Sequence, residues 1–175
     1  MLSDGFKICL GIIALIVLTI MTITNIKFVE KVEETWTYPE HVNTIENLAA
    51  KFSETRWPCE EESCLDEERI YNLSRVVFVS APISGFSSEL ISGIIMVENP
   101  WLDSLAISSA GAIGLMQVMP FHRGFAKCGE LETISGNICT GLAVLKQITL
   151  RRYNGCISEY CQDYPDHVEE AQREF

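Results

Sequence analysis

Basic residues are scarce in this sequence. The 175 residues include 13 lysines and arginines against 24 aspartates and glutamates, which gives a formal net charge of −11 at neutral pH. A protein that binds a phosphate backbone needs a basic surface, so this balance argues against nucleic acid as a partner.

Motifs for cofactors are also missing. The sequence has no nucleotide-binding motif, and none of its close cysteine pairs has the C-x-x-C spacing that is typical of zinc sites. The three histidines, His41, His122 and His167, do not stand at ligand spacing from another ligand. We therefore predict neither a metal site nor a cofactor.

One long uncharged run lies near the N-terminus. Residues 8–26 contain no charged side chain and are bounded by Lys7 and Lys27. As a helix, a run of this length matches the roughly 30 Å hydrocarbon thickness of a bilayer. A cleaved signal peptide is the alternative, but the run is longer than a typical signal-peptide core and no A-x-A-like site follows it. We predict a single transmembrane helix at residues 8–26, preceded by a cytoplasmic N-terminus at residues 1–7.

Cysteines indicate the compartment. Cys9 lies inside the apolar run, where a small apolar residue is expected. The other six form three close pairs along the chain: Cys59 with Cys64, Cys128 with Cys139, and Cys156 with Cys161. We interpret these pairs as disulfides rather than zinc ligands, which places the part of the chain that follows the membrane segment in an oxidising compartment.

An acidic stretch separates the membrane segment from the rest. Residues 30–68 hold twelve of the 24 acidic residues and show no repeating pattern. Blocks of like charge usually stay solvated, so we predict an acidic spacer at residues 27–69. The alternative is that Trp36 and Trp57 pack onto the domain. Residues 70–175 are then left for one domain of ordinary size.

The residues after Gly85 predict a helix with a carboxyl group on its apolar face. Ser87 is a plausible N-cap, and Pro100 ends the helix. Ile91, Ile94, Ile95 and Glu98 follow at i, i+3, i+4 and i+7. Burial would raise the pKa of Glu98, which suits a general acid that works near neutral pH. The alternative is a glutamate that reaches solvent at the helix end.

The next segment, SSAGAIGLMQVMP at residues 108–120, combines small and apolar residues. Gly111 and Gly114 predict a tight turn or a close approach to a ligand, followed by a short apolar helix closed by Pro120. Met116 and Gln117 could offer an apolar surface and an amide to a bound sugar. The alternative is that the apolar residues here belong to the core.

Taken together, these strings resemble a known family. Glu98-Asn-Pro followed by S-x-A-G-A-I-G-L-M-Q-V-M-P resembles the catalytic region of the soluble lytic transglycosylases. NICTGLAVL from Asn137 is similar to that family's Asn-Ile-x-x-Gly helix start, and RRYNGC is similar to its helix that ends in Tyr-Asn-Gly. The resemblance covers residues 87–165 and implies a mainly α-helical, lysozyme-like domain at residues 70–175.

The resemblance also implies the site. It makes Glu98 the catalytic residue. It also implies that Gly114, Met116 and Gln117 bind substrate in the sugar cleft and that Tyr153 and Asn154 do so on the opposite wall. It implies no cofactor. In this family one carboxyl group protonates the oxygen between N-acetylmuramic acid and N-acetylglucosamine, then takes a proton from the muramic 6-hydroxyl, which leaves a 1,6-anhydro sugar. No second carboxyl is then needed, and we predict that Asp103 is a turn residue.

We therefore expect a peptidoglycan lytic transglycosylase, anchored once in the inner membrane with its catalytic domain on the periplasmic side. Its expected partners are glycan strands and cell-wall or secretion machinery. Only 11 residues separate Gly141 from Tyr153, where the family usually has a longer stretch. This difference leaves a non-catalytic peptidoglycan-binding or scaffolding protein as one alternative, and a hydrolytic lysozyme that uses water is another.

Overall fold

A computed structural model describes residues 39–124, 127–148, 153 and 163–175. In these residues the chain forms five α-helices and one 3-10 helix: α1 Pro39–Thr55, α2 Glu67–Ser84, α3 Ser88–Glu98, the 3-10 helix Pro120–His122, α4 Ile134–Leu145 and α5 Tyr164–Gln172. Extended pairing in the described part is limited to isolated bridges. The prediction of a mainly helical protein is confirmed.

The predicted transmembrane helix at residues 8–26 lies outside the described residues. Among the helices that are described, none is both long enough and apolar enough to cross a bilayer.

Helix α3 is the centre of the domain. The Ser87 side chain accepts a hydrogen bond from the Leu90 N–H at 3.1 Å, so the predicted N-cap is confirmed. The three isoleucines of its apolar face are buried, and α3 packs against both α2 and α5. A Cβ added at Gly93 would lie 2.9 Å from the Val168 carbonyl oxygen, so this glycine is what lets α5 approach α3 closely.

Helix α1 corrects the predicted domain boundary. It lies in the segment predicted as a spacer, but its Leu48 and Phe52 side chains are buried and join the core. Ile45, Leu48 and Phe52 follow at i, i+3 and i+7, so one face of an otherwise acidic helix is apolar. The compact unit begins at Thr44 rather than at residue 70, and the spacer prediction is wrong for residues 44–69.

Trp57 follows α1 and contacts the domain, as the alternative interpretation proposed. Its ring meets the ring of Trp101 edge-on at a centroid distance of 5.1 Å, although 55% of its surface remains exposed. Its backbone N–H donates to the Pro100 carbonyl at 2.8 Å. Trp36 lies outside the described residues.

The segment before Pro120 is a turn and not the predicted short helix. Ile113 and Val118 exchange two backbone hydrogen bonds of 3.0 and 2.9 Å, as in a hairpin. Gly114 and Gln117 have φ values of +76° and +46°, which no α-helix contains. Pro120 begins the 3-10 helix instead of closing an α-helix, because its fixed φ suits a first helical position.

Two of the three predicted cysteine pairs are joined in the described part. Cys59 and Cys64 form a disulfide with their Cα atoms 6.3 Å apart. Cys128 and Cys139 form another, with a Cα separation of 5.5 Å, and this bond ties the loop before α4 to the helix itself. Cys156 and Cys161 lie outside the described residues.

Candidate active site

Glu98 is the last residue of α3, and its carboxyl group is half-buried. Burial raises the pKa of Glu98 above its ordinary value because the ionised form loses solvation. The Tyr164 hydroxyl donates a hydrogen bond of 2.6 Å to Oε1, which lowers the same pKa and so partly offsets the effect of burial. The carboxyl group is thus shifted toward the protonated form while one of its oxygens is held in place.

Tyr164 was not anticipated from the sequence. It is the first residue of α5, it is buried, and the packing of α5 against α3 brings its hydroxyl to Glu98. Burial and the negative charge of Glu98 raise the pKa of Tyr164, so the phenol remains a donor. The one signal in the sequence is a tyrosine beside Pro165 at a helix start, since a buried tyrosine hydroxyl needs a partner.

A cavity of about 570 Å³ opens in front of Glu98. This volume lies in the range of small-molecule sites, about 300–1,000 Å³. Its wall is mostly apolar and is formed by Glu98, Ser108, Ala110, Ala112, Gln117, Val118, Met119, Phe121, His122, Val144, Ile148 and Tyr153. Among these described residues Glu98 is the only carboxylic acid.

A buried amide holds the turn that faces Glu98. Asn137 of α4 donates through Nδ2 to the carbonyl oxygens of Ile113 and Leu131, both at 2.8 Å. Its Oδ1 accepts from the Met116 N–H at 2.8 Å. One buried side chain therefore bonds to three backbone groups and ties the turn to the loop before α4.

Asn99 fixes the other side of the same turn. Its Nδ2 donates to the carbonyl oxygens of Asp103 at 2.6 Å and Gly114 at 3.2 Å, and its Oδ1 accepts from the Asp103 N–H at 3.1 Å. The residue next to the acid thus anchors the loop that follows α3. The Asp103 carboxylate accepts from the Leu105 N–H at 2.8 Å, away from the cavity wall, so it acts as the predicted turn residue.

Comparison with known proteins identifies the family. Residues 76–162 match the family model of the transglycosylase SLT domain. The chain contains a transglycosylase SLT domain. The matched segment contains Glu98, the turn at 113–118 and Tyr153, and it stops just before Tyr164. No curated protein and no solved structure matched the chain.

Two predicted substrate-binding residues of the SLT domain line the cavity. Gln117 reaches it from the turn, where Nε2 donates to the Gly114 carbonyl at 2.7 Å. Tyr153 forms another part of the wall, and its hydroxyl donates to the Met116 carbonyl at 3.1 Å. Burial and the charge of Glu98 both raise the pKa of Tyr153. Asn154 lies outside the described residues.

Two other predicted contacts are corrected. Met116 is fully buried beneath the cavity, so its side chain belongs to the core instead of the wall of the SLT domain. Gly114 is buried as well, and the Asn137 amide occupies the space that a Cβ there would need. Both residues shape the turn, whereas the half-buried Gln117 side chain lines the cavity. In the described part no three His, Cys, Asp or Glu side chains converge in a way that could hold a metal ion.

Proposed function

We propose that this chain is a membrane-anchored peptidoglycan lytic transglycosylase that cleaves the β-1,4 bond between N-acetylmuramic acid and N-acetylglucosamine. Its product is 1,6-anhydro-N-acetylmuramic acid, and its acid/base is Glu98. The observation that carries the proposal is the half-buried carboxyl group of Glu98 in the wall of a 570 Å³ cavity within an SLT domain.

In the first step Glu98 acts as a general acid. Burial shifts its pKa upward and so favours the protonated carboxyl group, and Oε2 is left for the substrate because Oε1 is engaged by Tyr164. Glu98 gives its proton to the glycosidic oxygen. The bond from this oxygen to C1 of the muramic acid breaks, and its electron pair leaves with the N-acetylglucosamine as a 4-hydroxyl.

In the second step the Glu98 carboxylate acts as a general base. It takes the proton of the muramic 6-hydroxyl while that oxygen bonds to C1, so the acid is regenerated and no water is consumed. The Tyr164 hydrogen bond stabilises the carboxylate that exists between the two steps. Ordinary glycosidases use two carboxyl groups, and the single one in the described wall favours attack by the substrate's own hydroxyl.

The remaining wall suits a sugar chain. Gln117 supplies an amide and Tyr153 a phenol, whereas the other described lining residues are mostly apolar. The short connection before Tyr153 was the reason to consider a non-catalytic protein. Tyr153 nevertheless lines the same cavity as Glu98, which supports the enzyme. We propose that Asn154 contributes to the same wall.

The anchoring and compartment are part of the proposal. The uncharged run at residues 8–26 supports a single inner-membrane span. The disulfides Cys59–Cys64 and Cys128–Cys139 support an oxidising compartment, so the catalytic domain would face the periplasm and its peptidoglycan. Cell-wall or secretion machinery would be its protein partners.

The test is digestion of purified peptidoglycan by the full-length chain in detergent, with mass spectrometry of the released muropeptides. The variants are Glu98→Gln and, as a matched control, Glu89→Gln, an exposed glutamate in the first turn of the same helix. We expect anhydro-muropeptides from the parent and the control and none from Glu98→Gln. Products heavier by one water would instead show a hydrolase. No products from a folded, disulfide-bonded parent would leave the non-catalytic alternative.

A further inference from the structure

Phe121 has an unusual position for a large aromatic residue. Its side chain is 74% exposed, whereas Phe52 is fully buried. It also forms part of the wall of the cavity that contains Glu98. An exposed aromatic ring costs free energy in water, and one that borders a cavity is typical of a binding surface.

The backbone around Phe121 is well held. It is the middle residue of the 3-10 helix, which begins at Pro120, and the His122 N–H donates to the Met119 carbonyl at 2.9 Å. Immediately after this helix Arg123 forms ion pairs with Glu130 and Glu132 on the far side of the loop. These exposed pairs contribute little each, but together with the helix they hold the backbone that carries the Phe121 ring.

His122 accompanies Phe121 in the wall. Their ring centroids are 4.3 Å apart with the planes tilted by 52°. Burial lowers the pKa of His122, so at neutral pH the imidazole is mainly uncharged and carries one donor and one acceptor nitrogen. The pair thus combines an apolar face with a neutral polar group. Sugars have the matching chemistry, since a pyranose ring has a C–H face and hydroxyl edges.

We propose that Phe121 and His122 form a saccharide subsite at the rim of the cavity, in which the Phe121 ring stacks on a sugar unit of the strand next to those at the scissile bond. The identity of the strand rests on the proposed function. The subsite makes the enzyme prefer long glycan strands over short ones, because only a long strand reaches Glu98 and Phe121 together.

The test compares glycan strands of defined length prepared from purified peptidoglycan, cleaved by the full-length chain in detergent. The variants are Phe121→Ala, Phe121→Trp and, as a control, Leu105→Ala, whose side chain is also large, apolar and exposed but does not line the cavity. We expect Phe121→Ala to raise KM for long strands roughly three- to tenfold, more than for short ones and with a smaller change in kcat. Phe121→Trp should retain the parent's length preference.

Equal KM values for Phe121→Ala and Leu105→Ala at every strand length would overturn the subsite. A binding measurement distinguishes failure of the subsite proposal from failure of the proposed function. If the parent cleaves nothing, retention of the same strands by Glu98→Gln is compared with retention by Glu98→Gln combined with Phe121→Ala. Weaker retention by the double variant supports the subsite without catalysis, and equal retention rejects it. Tighter binding of an apolar peptide than of glycan by Glu98→Gln would also contradict it.

Discussion

The hydroxyl of Tyr164 and the carboxylate oxygen Oε1 of Glu98 are 2.6 Å apart, although 66 residues separate them in sequence. The two groups meet because Gly93 lets α5 lie close against α3. Burial raises the pKa of Glu98, and the Tyr164 hydrogen bond lowers it, so the net rise is smaller than burial alone would cause. Tyr164 is therefore a positioning residue that sets both the location and the acidity of the proposed acid/base.

Tyr164→Phe should move the pH profile of cleavage to higher pH. Without the hydrogen bond the pKa of Glu98 rises, so the protonated acid persists to higher pH and the alkaline limb of the profile shifts upward. We also expect roughly a tenfold loss of kcat/KM at the parent's optimum, because the carboxylate formed in the first step loses a charged hydrogen bond.

The measurement is kcat/KM against pH for the parent, Tyr164→Phe and Tyr71→Phe. Tyr71 is a half-buried tyrosine of α2 that does not line the cavity, so its variant serves as the control. A Tyr164→Phe profile that keeps the parent's alkaline limb and loses only amplitude would contradict control of the acid's pKa by this hydrogen bond.

Glu98→Gln should stabilise the folded protein at neutral pH. The folded-state pKa of Glu98 is raised, so the unfolded chain ionises first as pH increases and the parent loses stability as pH rises from the ordinary glutamate value of 4.5 through the folded value. Glutamine removes this cost and still offers Tyr164 an acceptor oxygen.

Thermal unfolding at pH 7 and at pH 4 checks this prediction. The gain in Tm of Glu98→Gln over the parent should be present at pH 7 and small at pH 4, where the carboxyl group is mostly protonated in both states. Glu89→Gln, with an exposed side chain, should show no gain. An equal gain at both pH values would mean that ionisation is not its cause.

Asn137→Ala should destabilise the domain by about 3 kcal/mol. The substitution removes the acceptor of the buried Met116 N–H and one donor to each of two carbonyl oxygens, those of Ile113 and Leu131. Urea unfolding measures the loss, and Asn47→Ala on the exposed face of α1 is the control. A loss that does not exceed the control's would show that the turn does not depend on this side chain.

The sequence predicted α3 well and the turn after it poorly, for one physical reason. In α3 the cap, the isoleucine spacing and the proline stop all agree, so local and tertiary preferences coincide. At residues 113–118 a short apolar run fits helix and hairpin equally, and the choice is made by Asn99 and Asn137 from elsewhere in the chain.

The other differences between the sequence predictions and the structure also arise from contacts between residues that are distant in sequence. The apolar spacing of Ile45, Leu48 and Phe52 was overlooked because acidic residues lie between these positions. Those acidic residues form the solvated face of α1, which becomes evident only when the opposite face is seen to pack in the core. Tyr164 could not be assigned because its partner lies on another helix. The position of Glu98 on the apolar face was predicted because its own helix carries the spacing, whereas its role as the acid was implied only by the family resemblance and stays a prediction.

The two glycines of the loop offer a paired test of how the turn is built. Gly111 and Gly114 both have left-handed backbone, with φ of +86° and +76°. A Cβ at Gly111 would meet nothing within 4 Å, whereas one at Gly114 would collide with the Asn137 side chain. Gly111→Ala should therefore cost only the backbone strain, about 1 kcal/mol, while Gly114→Ala should cost several times more. The collision would displace the Asn137 amide, which holds the turn at residues 113–118. Gly114→Ala should therefore also lose most of its cleavage activity at a temperature where it remains folded. Urea unfolding and muropeptide release together measure both effects. If the two variants lost stability and activity equally, the contact between Gly114 and Asn137 would not be what shapes the wall opposite Glu98.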